Sequence, residues 1–399
     1  MTRRTRKGEW LLLAVAIVFH AAGGSPVTAR GNEPLSADTV RGIETAIRGM
    51  MSERGIPGMA VAVVKDERIL WQGAFGLTDV ENSVPAETST LWRIASTTKP
   101  LTAIAAMQLV EKGALDLDAP VQKYAPSFPV KEFPVTARLL LCHQSGVRGY
   151  RRGETEHSDH YASLVDALGI FMDDPLDHEP GTRYTYTTYG YTLLGVVIEG
   201  ASGMPFPEYL KSRVLEPAGM RNTFVDDVYA ILPHRGRGYH PKVYGVFDGR
   251  WRNASLLDSS YKIPGGGLVS TAEDMARFAI AVLDGRLVSS RTFETMSVNQ
   301  KTRDGQPTGY GLGWYIDGRE GREAVDGSVY HGGVQPGFTS DLWLLPRRRL
   351  AIAILTNLEG GGRLGLATLA NRIAAIVLDG GKAPEPGGAA TPPSGGTAR

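Results

Sequence analysis

Residues 92–124, WRIASTTKPLTAIAAMQLVEKGALDLDAPVQKY, decide how the rest of the chain is read. They set Ser96 and Lys99 three positions apart at the mouth of a helical stretch, and residues i and i+3 share a helix face. A serine hydroxyl is a poor nucleophile until a base takes its proton, and a lysine can do so only where burial or charge lowers its pKa. Such a setting follows at once: residues 101–110 read LTAIAAMQLV, with no ionisable side chain, and a helix apolar on every side is a buried one. Pro100 stands early enough that its missing N–H costs little. The competing reading of the tetrapeptide is an ordinary helix N-cap followed by a solvated lysine.

By itself Ser-x-x-Lys is a weak signal, because 22 serines and 11 lysines make a chance match expected, and the spacing occurs twice. The second occurrence, Ser259 to Lys262, runs into Ile263-Pro264-Gly265-Gly266-Gly267. Proline and three glycines argue against a helix there, so this Ser and Lys are expected on a loop with no shared face.

Working outward, Val40, Ile43, Ile47 and Met50 mark one face of an N-terminal helix that stops near Gly55 and Pro57. MAVAVVKD and ILWQGAFG read as two strands joined by a turn at residues 66–68, and SDLWLLP and LAIAILTN repeat that pattern around residues 347–349. Leu366, Leu369, Ile373 and Val377 mark a closing helix, and another is expected near Thr271, with Ser270 and Glu273 as a capping box. Sheet and flanking helices therefore come from both ends of the chain, with helical stretches between them. Tyr184 and Tyr186 alternate with threonines, which by pattern alone reads as a β-strand.

Beyond residues 92–124, the stretches LLLCHQSGV (139–147), EPGTRYTYTTYGYTLLG (179–195), PGGGLVSTAEDMARF (264–278), YGLGW (310–314) and HGGVQPGFTSDLWLLP (331–346) follow in order. Together they make the chain resemble the penicillin-recognising serine hydrolases: class C β-lactamases, D-Ala-D-Ala carboxypeptidases, related esterases and the mitochondrial β-lactamase-like protein. The resemblance implies an α/β (α+β) fold, an antiparallel sheet flanked by helices with an inserted, mainly helical lobe. It places a catalytic domain at 36–383, its α/β lobe from 36–95 and 270–380 and its helical lobe from 96–269, with Ser96 in the cleft between lobes.

The same resemblance implies that Ser96 is acylated and that Lys99 is its amine partner. The family's Tyr-x-Asn motif falls on Tyr186, Thr187 and Thr188; the tyrosine is kept and a threonine replaces the amide residue. Beside a cationic lysine a phenol can lower its pKa from about 10 and shuttle the serine proton. The family's Lys-Thr-Gly falls on His331, Gly332 and Gly333, although a lone histidine is more often structural than catalytic. Imidazole, with a reference pKa of about 6.5, attracts a substrate carboxylate less than a permanent lysine charge does. The expected function is therefore a serine hydrolase acting through an acyl-enzyme on esters, amides or peptides more than an efficient β-lactamase. Backbone N–H groups of Ser96 and Val334 would meet the oxyanion. The alternative is a non-catalytic relative that binds cell-wall peptide or assembles with itself.

No G-x-S-x-G, H-E-x-x-H, Walker or G-x-G-x-x-G motif is present, and no cofactor is expected. Glu154, Glu156, His157, Asp159 and His160 could ligate a metal, but they lie in a polar stretch that reads as a solvated loop. His143 is expected to be structural, and the lone cysteine, Cys142, to pack as a small hydrophobe. A net charge of +1 gives no electrostatic case for nucleic acid, and the resemblance implies a small molecule or peptide as the partner. Arg3, Arg4, Arg6 and Lys7 precede the apolar residues 11–19 and then Val27-Thr28-Ala29, the pattern of a signal peptide cleaved after residue 29. Export to the periplasm or beyond is expected, with no stable membrane span after cleavage, although an uncleaved anchor stays open. The Gly-, Pro-, Ala- and Thr-rich residues 384–399 read as a disordered tail.

Overall fold

The structure, a computed structural model, describes residues 35–156, 158–243, 246–316 and 327–379. The expected leader and the expected tail from Pro384 lie outside the described residues. Seven strands make the main sheet: β1 (Gly58–Lys65), β2 (Arg68–Asp79), β3 (Val84–Pro85), β4 (Tyr315–Ile316), β5 (Val329–Gln335), β6 (Phe338–Leu345) and β7 (Leu350–Thr356). Their spatial order is β3-β2-β1-β7-β6-β5-β4, and every neighbouring pair is antiparallel. The two ends of the chain meet at the centre, where β1 pairs β7 with Val61 opposite Ile354.

These central strands are apolar runs because both faces are covered. Met59, Val61 and Val63 of β1 share one core with Trp343, Ile352 and Ile354, against Ile43 and Ile47 of α1 (Ala37–Arg54) and Leu369 and Ile373 of the closing helix (Leu366–Leu378). The alternate residues Ala60, Ala62 and Val64 face a second core. This is the period-2 alternation of a pleated strand. The second core takes in α2 (Thr98–Glu111), α3 (Thr188–Ser202) and α4 (Ala272–Leu283). The β1–β2 hairpin turns on Asp66 and Glu67, whose φ values of 48° and 68° are those of a tight hairpin turn made without glycine. Helix α1 stops where Gly55 takes φ 62°.

Three local expectations are corrected. Helix α4 is capped by Thr271, whose side chain accepts from the Asp274 N–H, while Ser270 lies in the short strand Leu268–Ser270 and bonds Thr223. Residues 183–187 form no strand: they run extended into α3, where Thr187 is the N-cap, so the Tyr/Thr alternation serves a helix entry. Residues 260–266 are helical, a 3-10 turn (Ser260–Lys262) followed by one α-turn (Ile263–Gly266). Pro264 falls in the first turn of that helix, where no N–H is required of it. Cys142 is buried and its thiol is pushed up to about 12, as an inert core sulfur would be. Among the described residues no helix is long and apolar enough to cross a membrane.

Candidate active site

Ser96 sits in a strained corner. The strand Trp92–Arg93 pairs with the strand Leu268–Ser270, the Ile94 N–H bonds Leu268 O at 3.1 Å, and the chain then turns through Ala95 at φ 46°. Left-handed backbone is uncommon for a residue with a side chain and is tolerated where the surroundings hold it. The hold here is a hydroxyl clasp. Ser340 of β6 donates to Ile94 O at 2.7 Å and lies 2.7 Å from Thr97 Oγ1, which also reaches His331 O at 3.3 Å. Strand β5 passes so close that a Cβ on Gly333 would fall 2.3 Å from Ile94 O and 2.9 Å from the Ser96 nitrogen. Only glycine fits there.

One turn on, Lys99 is fully buried. Its Nζ lies 2.7 Å from Gly265 O, 3.1 Å from Ser96 Oγ and 3.4 Å from Thr188 Oγ1, so none of its bonding partners is an acid. Burial, reinforced by the charge of Lys262, holds its pKa well below the usual lysine value. In all three contacts Nζ is placed to donate, to Gly265 O, Ser96 Oγ and Thr188 Oγ1, and loss of one proton would free a lone pair for the Ser96 hydroxyl.

Tyr186 is half-buried, with its hydroxyl bonded to Ser96. Its ring lies against His143 at 4.2 Å between centroids and stacks on Tyr315 at 6.3 Å, and Lys99 Nζ stands 4.8 Å from its centroid. The amine thus meets the ring face. The expected lowering of the phenol pKa is corrected: burial drives it above the ordinary value, only partly opposed by the Ser96 hydrogen bond, so the phenol keeps its proton. His143 is structural, its Nδ1 accepting from the Thr187 N–H at 3.2 Å.

His331 is placed behind the site rather than in it. Its ring is fully buried; Nδ1 lies 2.7 Å from Gly332 O and therefore carries a proton, and Nε2 lies 2.9 Å from the Tyr310 hydroxyl. The ring lies 6.3 Å from that of Tyr186 between centroids, and His331 is not among the residues that line the cleft. Ser96, Tyr186, Thr188, Gly332 and Val334 do share one cleft of about 790 Å³. Lys262, which the loop reading set aside, lines that cleft too. The signal was its place in the second Ser-x-x-Lys, but Ser259 points elsewhere, to Asp226 Oδ2 at 3.3 Å.

Among the described residues no group of three or more His, Cys, Asp or Glu side chains is arranged to hold a metal. Glu154 pairs with Arg148 at 2.7 Å and His160 with Asp258 at 2.9 Å, while His157 lies outside the described residues. The closeness of β5 to the Ser96 corner is directly testable. Gly333→Ala should slow covalent labelling of Ser96 by about 10²-fold, because an added methyl displaces the corner. Labelling at the parent rate would show that the approach is not required.

A family model described as Beta-lactamase matches residues 43–375. The chain is similar to the human mitochondrial serine beta-lactamase-like protein LACTB, 30% identical over 326 residues that cover 63% of this chain and 58% of the relative. It thus spans less than two thirds of that relative's length. Among solved structures it resembles the octameric penicillin-binding protein homologue from Pyrococcus abyssi, with TM-score 0.71 and 27% identity over 86% of this chain and 79% of that one. It also resembles the D-amino acid amidase from Ochrobactrum anthropi SV3 complexed with L-phenylalanine amide, with TM-score 0.72 and 25% identity over 86% of this chain and 99% of that one. The family match takes in the whole seven-stranded sheet, the Ser96 corner and the cleft-lining residues of both walls, and the chain belongs to the Beta-lactamase family.

Proposed function

We propose that the protein is a serine hydrolase that cleaves ester, amide or peptide bonds through an acyl-enzyme on Ser96. The observation that carries this reading is a buried lysine amine, its pKa depressed, 3.1 Å from a serine hydroxyl that faces a cleft. Lys99 takes the Ser96 proton as Oγ bonds to the substrate carbonyl carbon. The oxyanion is met by the N–H groups of Ser96 and Val334. Collapse expels the leaving group, which takes up the proton that Lys99 accepted, with the Tyr186 hydroxyl, bonded to Ser96, beside it as a second donor, and water then releases the acyl group. In this scheme Lys99 is the acylation base, because burial lowers its pKa, and Tyr186, whose pKa burial raises, stays protonated as a hydrogen-bond donor.

Esters, amides and peptides are favoured over β-lactams because the buried His331 leaves the β5 edge without a lysine. The similarity to a D-amino acid amidase supports the same preference. The basic and apolar leader supports export, with the mature N-terminus at Arg30 as its check.

The test is covalent labelling with a fluorophosphonate. Wild type should label and Ser96→Ala should not, and Lys99→Ala should slow labelling by about 10²- to 10⁴-fold, the usual worth of a positioned general base. Labelling of neither protein would favour the non-catalytic binder. The rate should rise with pH through the depressed pKa of Lys99, because only the free amine accepts a proton. It should then stay level into the range where Tyr186, raised by burial, still holds its own. The groups facing Lys99 are Ser96, Thr188, Gly265 O, the rings of Tyr186 and Tyr191, and the Lys262 charge. Nitrocefin hydrolysis near the diffusional ceiling of about 10⁸ M⁻¹s⁻¹ would contradict the substrate preference.

A further inference from the structure

Lys262 has no part in the acyl transfer described above, yet it stands in the same cleft. The side chain is 8% exposed, and that remnant opens beside Ser96, Gly265 and Gly266. Among the described residues its ammonium has neither an ion-pair partner nor a hydrogen-bond acceptor; its recorded neighbour is the Tyr261 ring, 5.5 Å to the centroid. The acids around it are already engaged. Asp226 is held through Oδ2 by Arg93 at 2.8 Å and by Ser259 at 3.3 Å; its buried Oδ1 attracts the Lys262 charge without forming an ion pair with it among the described residues. Asp258 accepts from Ser260 N–H at 2.7 Å and pairs with His160 at 2.9 Å. Glu359, which also lines the cleft, pairs with His240 at 2.8 Å.

A nearly buried cation without a counter-ion is costly in the empty protein. Burial and the repulsion of Arg93, against the attraction of Asp226, push its pKa down to about 8. A bound anion would offset both effects. Lys262 stands three residues before Gly265, whose carbonyl holds Lys99, so such an anion would lie within a short substrate's reach of the Ser96 hydroxyl. At the other wall, the β5 edge offers no lysine, and His331 is sealed behind it.

We propose that Lys262 recognises a carboxylate on the substrate, borne on the acyl or leaving group and seated against residues 261–266 rather than at the edge of β5. The proposal rests on the reading of Ser96 as nucleophile. It makes the preferred substrates anionic esters or amides, and makes Lys262 the residue that selects them.

The test compares mono-4-nitrophenyl glutarate, which carries a carboxylate, with 4-nitrophenyl butyrate, which does not. The readout is the ratio of their kcat/KM values, so that any effect of Lys262 on Lys99 cancels. In Lys262→Met this ratio should fall about 10- to 100-fold, the worth of one charged hydrogen bond. Lys262→Arg, which keeps the charge, should recover most of it. A ratio that stays within about threefold of wild type in Lys262→Met, below one such bond, would overturn the proposal. If wild type cleaves neither ester, the nucleophile reading has failed, and Lys262 is then judged by calorimetric titration of glutarate into Ser96→Ala. Binding that weakens at least about tenfold on adding Lys262→Met upholds the anion site, whereas equal affinity or no binding overturns it.

Discussion

An amine denied both water and a counter-ion governs the site. Among the described residues Lys99 reaches only neutral oxygens, those of Ser96, Thr188 and Gly265, and the second lysine of the cleft repels its proton further. A carboxylate in this shell would hold the ammonium form and abolish the base. The fold meets the cost of stripping water from a lysine by placing it on a helix that is buried from Thr98 through Leu109. Such a helix gains enough apolar burial to carry one unfavourable group.

The sheet gives this arrangement its rigidity. Strands from the two ends of the chain pair at its centre, and both faces are packed, so the β5–β6 hairpin has little freedom to move relative to α2. Against that frame the Ser340 and Thr97 hydroxyls pin the Ser96 corner, and Gly333 lets the strand edge lie beside the Ser96 amide. Strain at Ala95 is stored in a corner held from several sides.

Features with a short repeat could be read from residues alone. The N-terminal helix, both apolar hairpins and the closing helix carry periods of 3.6 or 2, and each forms where the pattern puts it. The spacing sets Ser96 and Lys99 one turn apart, but the tetrapeptide alone reads as well as a capped helix start, and it is the resemblance that singles them out. Tyr186 was found through resemblance, since its alternation with threonine imitates a strand. The Ser340–Thr97 clasp spans 243 residues and leaves no local mark. Lys262 was discounted because Pro-Gly-Gly-Gly argues against a helix, whereas a single turn with proline at its start needs few of the N–H groups that proline lacks. For His331 a motif position says which strand carries a residue but not what the ring meets: here the buried hydroxyl of Tyr310.

On the proposed reading, charge in the cleft is divided between two lysines with different tasks, Lys99 for proton transfer and Lys262 to meet an anion. The first task is the more fundamental, and its protonation state can be observed without any substrate. With ¹³Cε-labelled lysine, the Lys99 resonance, identified by its loss in Lys99→Arg, should titrate well below the ordinary 10.5. A resonance that keeps the ammonium shift up to about pH 10, as a solvated lysine does, would contradict a neutral base at the centre of the site.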